Sequence, residues 1–196
     1  MKVAIVKYNA GNTRSVINAL ERLGVKSMVT DNAETLCTAD RVIFPGVGEA
    51  SSAMTSLRER QLDEVIRSLR QPVLGICLGM QLLCNFSEEN DTNCLGILPY
   101  SVRRFSDSGL KVPQVGWNNI RVLKTVLFNG VGEDSYVYFV HGYYVEKGAA
   151  TTATADYDVE FSAAVQHENF YAVQFHAEKS GAVGAKILEN FLRINV

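Results

Sequence analysis

The residues with the clearest chemical potential are Cys77, His176 and Glu178. Cys77 stands in Gly75-Ile76-Cys77-Leu78-Gly79, a G-x-C-x-G pattern between an apolar run and helical spacing. That is the cysteine form of a nucleophile elbow, a sharp strand-to-helix turn that lifts a reactive side chain above a sheet edge. The flanking glycines let the backbone fold back there, and the N-terminus of a following helix favours thiolate. A thiol nucleophile needs a base to take its proton and a third group to fix that base's tautomer. Gln174-Phe175-His176-Ala177-Glu178 offers both at the end of an apolar run. His176 and Glu178 are two residues apart, so on an extended chain they share a face. The chemistry implied is nucleophilic catalysis by a thiolate. Each motif alone has a plainer reading: a buried cysteine at a tight turn, or a polar histidine at a strand end.

The elements that must hold these groups follow from apolar periodicity. Residues 2–7 form a β-branched run, read as a buried strand. From Thr13, Val16, Ile17, Leu20 and Leu23 keep helical spacing up to Gly24. Strands are expected at Val25–Thr30, Arg41–Phe44 and Val73–Ile76, and helices over 49–69 and at Met80–Cys84. Pro45-Gly46-Val47-Gly48 is a loop, and Pro72 stops the helical stretch. Strands alternating with helices predict βαβ units and a parallel sheet. Residues 100–175 carry short strand-like runs (Tyr136–Val140, Phe161–Val165, Ala172–Phe175), expected to extend the sheet in mixed or antiparallel fashion. His167 falls in a polar hairpin turn, and a helix near Ala182–Leu192 closes the chain. One domain over 1–196 is expected.

Three motifs, P-G-x-G at 45–48, G-I-C-L-G-M-Q at 75–81 and F-H-A-E at 175–178, resemble those of class I glutamine amidotransferases in order and spacing. The resemblance covers essentially the whole chain. It implies an α/β, flavodoxin-like three-layer sandwich with a mixed, mainly parallel central sheet. It also implies that Cys77 is the nucleophile, forming a glutamyl thioester, that His176 is base and then acid, and that Glu178 orients His176. Backbone amides near Gly46, Val47 and Leu78 would form the oxyanion hole. Gln81 would hold the glutamine substrate, and Glu89, His141, Gly142 and Tyr143 would contact its amino-acid end. Ala177 replaces the family's usual proline, Gly142 stands where serine is common, and Lys7 where aspartate is frequent. None of these departures removes a catalytic group.

Within the family, Pro113-Gln114-Val115-Gly116-Trp117-Asn118, the 136–144 stretch and the Tyr8–Val16 opening resemble one branch. In that branch the glutaminase docks on a separate (β/α)8 barrel subunit and sends it ammonia for imidazole glycerol phosphate in histidine synthesis. The resemblance implies a heterodimer with Asn12, Pro113, Gln114, Trp117, Asn118, Tyr136, Tyr138 and Lys179 at the docking face. For Trp117 a core aromatic is the competing reading. Two other functions stay open: a glutaminase for another synthase, such as those of pyridoxal phosphate or anthranilate, and a non-catalytic or redox-sensing elbow cysteine.

Bulk properties narrow the field. The 196 residues are 47% hydrophobic and 20% charged, with a formal net charge of -2, as expected of a globular chain with a real core. No basic block suggests nucleic acid or an anionic membrane as partner. The early apolar run is too short for a signal peptide, and no stretch reaches the roughly 20 apolar residues that span a bilayer. The cytosol is therefore the expected compartment. Cys37, Cys77, Cys84 and Cys94 show no C-x-x-C pairing, so no metal or cofactor is expected, and all but Cys77 read as structural. Asn9-Ala10-Gly11-Asn12 could cradle a phosphate, but reads more simply as a turn with Asn12 as N-cap.

Overall fold

A computed structural model of the protein describes residues 1–9, 12–106 and 109–194. Ala10 and Gly11 of the possible phosphate loop lie outside the described residues. The first half alternates strand and helix: β1 (Val3–Val6), α1 (Thr13–Arg22), β2 (Ser27–Thr30), α2 (Ala33–Cys37), β3 (Arg41–Gly46), α3 (Ala50–Glu59), α4 (Leu62–Ser68), β4 (Val73–Cys77) and α5 (Leu78–Leu83). Strands then dominate: β5 (Cys84–Ser87), β6 (Thr92–Asn93), β7 (Leu98–Arg104), β8 (Gln114–Ile120), β9 (Ser135–His141), β10 (Tyr143–Val145), β11 (Thr151–Tyr157), β12 (Val159–His167) and β13 (Phe170–Val173). A 3-10 turn at Ala177–Lys179 leads into α6 (Gly181–Leu192).

Among the described residues, eleven strands form one sheet in the order β2-β1-β3-β4-β13-β12-β10-β7-β5-β6, with β11 paired to β12. The stretch from β2 to β13 is parallel throughout. Beyond it the pairing turns antiparallel, except that β5 runs parallel to β7. A separate antiparallel ribbon joins β8 to β9. The fold is thus the mainly parallel α/β sheet with an antiparallel extension expected from the sequence.

The sheet is covered on both sides, which is why its parallel strands read as continuous apolar runs. Val3, Ile5, Leu74 and Ile76 pack with α1, α6 and the β8–β9 ribbon. Ala4, Val6, Val42, Phe44 and Val73 pack on the other side with α2 to α5. Successive residues alternate between the two cores because strand side chains have a period of two. No helix among the described residues is long and apolar enough to cross a membrane.

Several details differ from the sequence expectations. The helix after the elbow begins at once, at Leu78, and gives way to β5 at Cys84. The short helix α2 and the strands β5, β6, β7, β8, β10 and β11 were not delineated from sequence. Cys37 is exposed, unlike the buried Cys84 and Cys94. It sits in the last turn of a five-residue helix with only Leu36 turned inward. His167 ends β12, and the turn into β13 makes the expected hairpin.

Candidate active site

The elbow is built by close backbone packing. Cys77 takes φ 54° and ψ -111°, a strained conformation for a residue with a side chain. Such geometry persists only where its surroundings over-determine it. Here Gly79 lies so close to β3 that a Cβ would come within 1.9 Å of the Phe44 carbonyl oxygen. A Cβ on Gly75 would meet Met80 N at 3.1 Å. The two glycines therefore bring α5 down onto β3 and β4, and Cys77 is left at the C-terminal edge of the sheet. In open α/β sheets this edge is where ligands bind.

His176 arrives from the neighbouring strand, just beyond β13, which pairs with β4 in parallel. His176 is 2% exposed and Glu178 7%, so their pairing is shielded from solvent. His176 Nδ1 lies 2.8 Å from Glu178 Oε1, and the same oxygen accepts a hydrogen bond from the Asn12 side chain. Asn12 has φ 76° at the N-cap position of α1 and makes no side-chain cap, because its amide is turned to Glu178 instead. Burial works against the charged form of His176. Hydrogen bonds to Cys77 and Glu178, and the negative charges of both, outweigh it and raise the pKa to about 10. The arrangement thus holds His176 toward its charged imidazolium form beside the Cys77 sulfur.

The backbone around the pair is also fixed. His176 N–H donates to the Tyr138 carbonyl (2.9 Å). Ser180 Oγ donates to the His176 carbonyl (2.7 Å) and accepts from Tyr138 N–H (2.9 Å). Cys77 Sγ is 3.7 Å from the Val140 carbonyl and 3.8 Å from Gln174 Nε2.

A pocket of about 230 Å³ opens over Cys77 and His176. It is lined by Val47, Gly48, Leu78, Gln81, Glu89, Pro113, Val140, His141, Gly142 and Tyr143 as well. Larger surface hollows lie elsewhere, away from the elbow cysteine. Gly46 pairs with Cys77 across the β3–β4 ladder, which sets the loop of Gly46, Val47 and Gly48 beside the thiol. Gln81 donates to the Tyr143 carbonyl and to Gln174 Oε1, each at 3.0 Å. Glu89 Oε2 accepts from Ala50 N–H at 2.7 Å. Its pKa is raised because burial, aided by the charge of Glu49, outweighs that hydrogen bond. A cation in the pocket would relieve it. His141 is driven the other way, to about 4, mainly by burial, with the nearby charge of His176 adding to it. Its ring nitrogens lie 2.7 Å from the Tyr143 carbonyl and 2.9 Å from the Gln114 side-chain amide.

The residues expected at a docking face divide into two groups. Trp117 (55% exposed) and Tyr136 (60%) lie on the outer face of the β8–β9 ribbon, so Trp117 is not a core aromatic. Pro113 and Lys179 are exposed, and Tyr138 is half-buried against Trp117, with ring centroids 5.8 Å apart. Gln114 is a correction: it is buried and bound to His141, because strand alternation turns it to the inner face of β8. Asn12 is half-buried on Glu178, and half-buried Asn118 donates to the Asp156 carbonyl. Sequence reasoning assigned no role to Gln174, Ser180 or Tyr8. Gln174 was within reach, since two residues before His176 on a strand is the same face. The Tyr8 hydroxyl donates to the Pro45 carbonyl at 2.8 Å, a contact between distant segments that no local pattern shows.

Residues 4–195 match the family described as glutamine amidotransferase class-I. Full-length relatives are similar at high identity. An imidazole glycerol phosphate synthase subunit HisH of Bacteroides fragilis is 56% identical over 99% of this chain and 100% of that protein. Proteins of the same name from Bacteroides thetaiotaomicron (54% identical, 98% of this chain, 99% of theirs) and Haemophilus influenzae (45%, 98% and 97%) are also similar. Among solved structures, a glutamine amidotransferase superposes with TM-score 0.75 at 22% identity, covering 97% of this chain and 96% of the other. PurLQS from Thermotoga maritima gives 0.73 at 20%, covering 97% of each chain.

Proposed function

Since this chain belongs to the class I glutamine amidotransferase family, we propose that it is the glutaminase subunit of an imidazole glycerol phosphate synthase, hydrolysing L-glutamine and passing ammonia to a (β/α)8 barrel synthase. The name shared by relatives of 45–56% identity over nearly the whole chain supports this over a subunit of another synthase. The observation that carries the chemistry is the meeting of Cys77 and His176 in one pocket at the C-terminal sheet edge, with Glu178 bound to His176 Nδ1 behind it.

The roles follow from position. Cys77 attacks the side-chain carboxamide carbon of glutamine. The resulting oxyanion is met by backbone amides of the Gly46–Val47 loop and Leu78. His176 gives its proton to the departing nitrogen, so the C–N bond breaks, ammonia leaves and a glutamyl thioester remains. His176 then takes a proton from water, which attacks the thioester and returns the thiolate and glutamate. Glu178 holds the His176 ring throughout. Glu89 is suited to the substrate's ammonium group, and Gln81, His141, Gly142 and Tyr143 shape the rest of its pocket. The exposed ribbon carrying Trp117 and Tyr136, with Pro113 and Lys179 near it, is the surface offered to the barrel. Both cores lie on one shared sheet, which supports treating 1–196 as a single glutaminase domain. The cytosol is the fitting compartment, where its cysteines stay reduced.

The deciding experiment is glutamate release from glutamine, with and without the barrel subunit and its nucleotide ligand. Strong stimulation by both, abolished by Cys77→Ala, is expected. Equal rates with and without the partner would refute coupling to the barrel. Undiminished release by Cys77→Ala would refute the assigned nucleophile.

A further inference from the structure

Ser180 has no part in the chemistry above, yet it is 1% exposed and both hydrogen bonds of its hydroxyl are placed between the base and the docking ribbon. Its hydroxyl donates to the His176 carbonyl at 2.7 Å and accepts from Tyr138 N–H at 2.9 Å. His176 N–H returns to the Tyr138 carbonyl at 2.9 Å. The three bonds close a ring that joins the backbone of His176 to one residue of β9. The outer side of that residue carries the Tyr138 ring in edge contact with exposed Trp117. The indole also reaches the first residue of α6, since a Cβ on Gly181 would be 4.0 Å from the Trp117 ring. The other half of the pair touches the same strand, with Cys77 Sγ 3.7 Å from the Val140 carbonyl. Any load on Trp117 and Tyr138 therefore reaches β9, and β9 reaches His176 through Ser180.

We propose that Ser180 is a positioning residue that fixes the His176 backbone to the docking ribbon and so transmits partner binding to the catalytic base. The inference rests on the docking reading above for its second half only. The positioning of His176 is a property of the chain by itself. Without the hydroxyl, the Tyr138 amide and the His176 carbonyl lose their bridge, while the direct His176–Tyr138 bond remains. The His176 backbone then keeps one link to β9 instead of two, its carbonyl retaining only the Lys179 N–H of its own turn at 3.0 Å, and its ring is less well held between Cys77 and Glu178.

The test has two arms. In the first, alkylation of Cys77 by iodoacetamide is followed against pH in the isolated chain, for wild type, Ser180→Ala and Ser180→Cys. Cysteine keeps the volume but is a poor hydrogen-bonding substitute, so it serves if alanine does not fold. The titratable groups facing the Cys77–His176 pair among the described residues are Glu178 in the turn of His176, His141 on β9 and Tyr8, whose hydroxyl lies on the Pro45 carbonyl. The acid limb of the wild-type profile is expected to move to higher pH in each folded variant, with the melting temperature lowered by the two lost buried hydrogen bonds. In the second arm, glutaminase activity is measured with the barrel subunit. There kcat is expected to fall about tenfold, with KM within about twofold, because a misplaced base affects the chemical step and not substrate binding. A folded variant with the wild-type pH profile and wild-type stimulation overturns the proposal. Wild-type protein that the barrel fails to stimulate, alongside a shifted alkylation profile in the variants, would instead remove the docking reading and leave the positioning of His176 standing.

Discussion

Two histidines in one pocket are driven in opposite directions, and their surroundings account for the split. His176 faces a thiol and a carboxylate and is held toward its charged form. His141 is enclosed by Phe105, Phe139 and Phe161, with ring centroids between 5.2 and 5.4 Å away, and is held neutral. A pKa of about 4 in the folded chain lies below the ordinary value of 6.5. The stability this gives is complete above pH 6.5 and is lost as pH falls toward 4. Between pH 7 and pH 5 the loss from this one group is expected to be about 2 kcal/mol. Urea unfolding of wild type and His141→Gln at the two pH values checks it. An equal loss in the variant would place the acid sensitivity elsewhere. His176 and Glu178 were readable because they share one strand-end motif, and Cys77 because of its flanking glycines. The turning of Asn12 to Glu178 was not readable, since it joins residues from opposite ends of the chain.

At the scale of elements, the elbow depends on how closely α5 approaches β3. Gly79→Ala would force a Cβ to within 1.9 Å of the Phe44 carbonyl oxygen, and neither backbone can yield without moving the turn that aims Cys77. A stability loss of at least about 3 kcal/mol is expected, with activity lost in whatever remains folded. Chemical denaturation together with glutamate release checks this, and a variant of wild-type stability would show that the elbow has slack. The βαβ half was legible because β1, β4 and the Val42–Phe44 core of β3 are apolar runs and α1 keeps a clear stripe. The ribbon was harder. Its motif at 113–118 stood out, but β8 reads Gln-Val-Gly-Trp-Asn-Asn-Ile, with a glycine and two asparagines that are poor strand formers. Its pairing with β9 fixes it, and that long-range contact also explains why Gln114 turned inward.

For the whole molecule, the uncovered outer face of the β8–β9 ribbon is where a partner has most to gain. Trp117 and Tyr136 expose more than half of their surface there, and large aromatics dominate binding energy at interfaces. Trp117→Ala is expected to weaken binding of the barrel subunit by roughly 10- to 100-fold. The melting temperature of the isolated chain should hardly move, because little buried area is lost. Titration of the barrel by calorimetry checks it, and unchanged affinity would move the interface off this ribbon. The sheet order has one more consequence. β4 ends in Cys77 and β13 leads to His176, yet the two adjacent strands are half the chain apart in sequence, and β13 fills the slot between β4 and β12. A nascent chain on the ribosome therefore displays its thiol long before any base stands beside it. The centre assembles only when the last strand is inserted, so a truncated product would neither destroy glutamine nor leak ammonia into the cell.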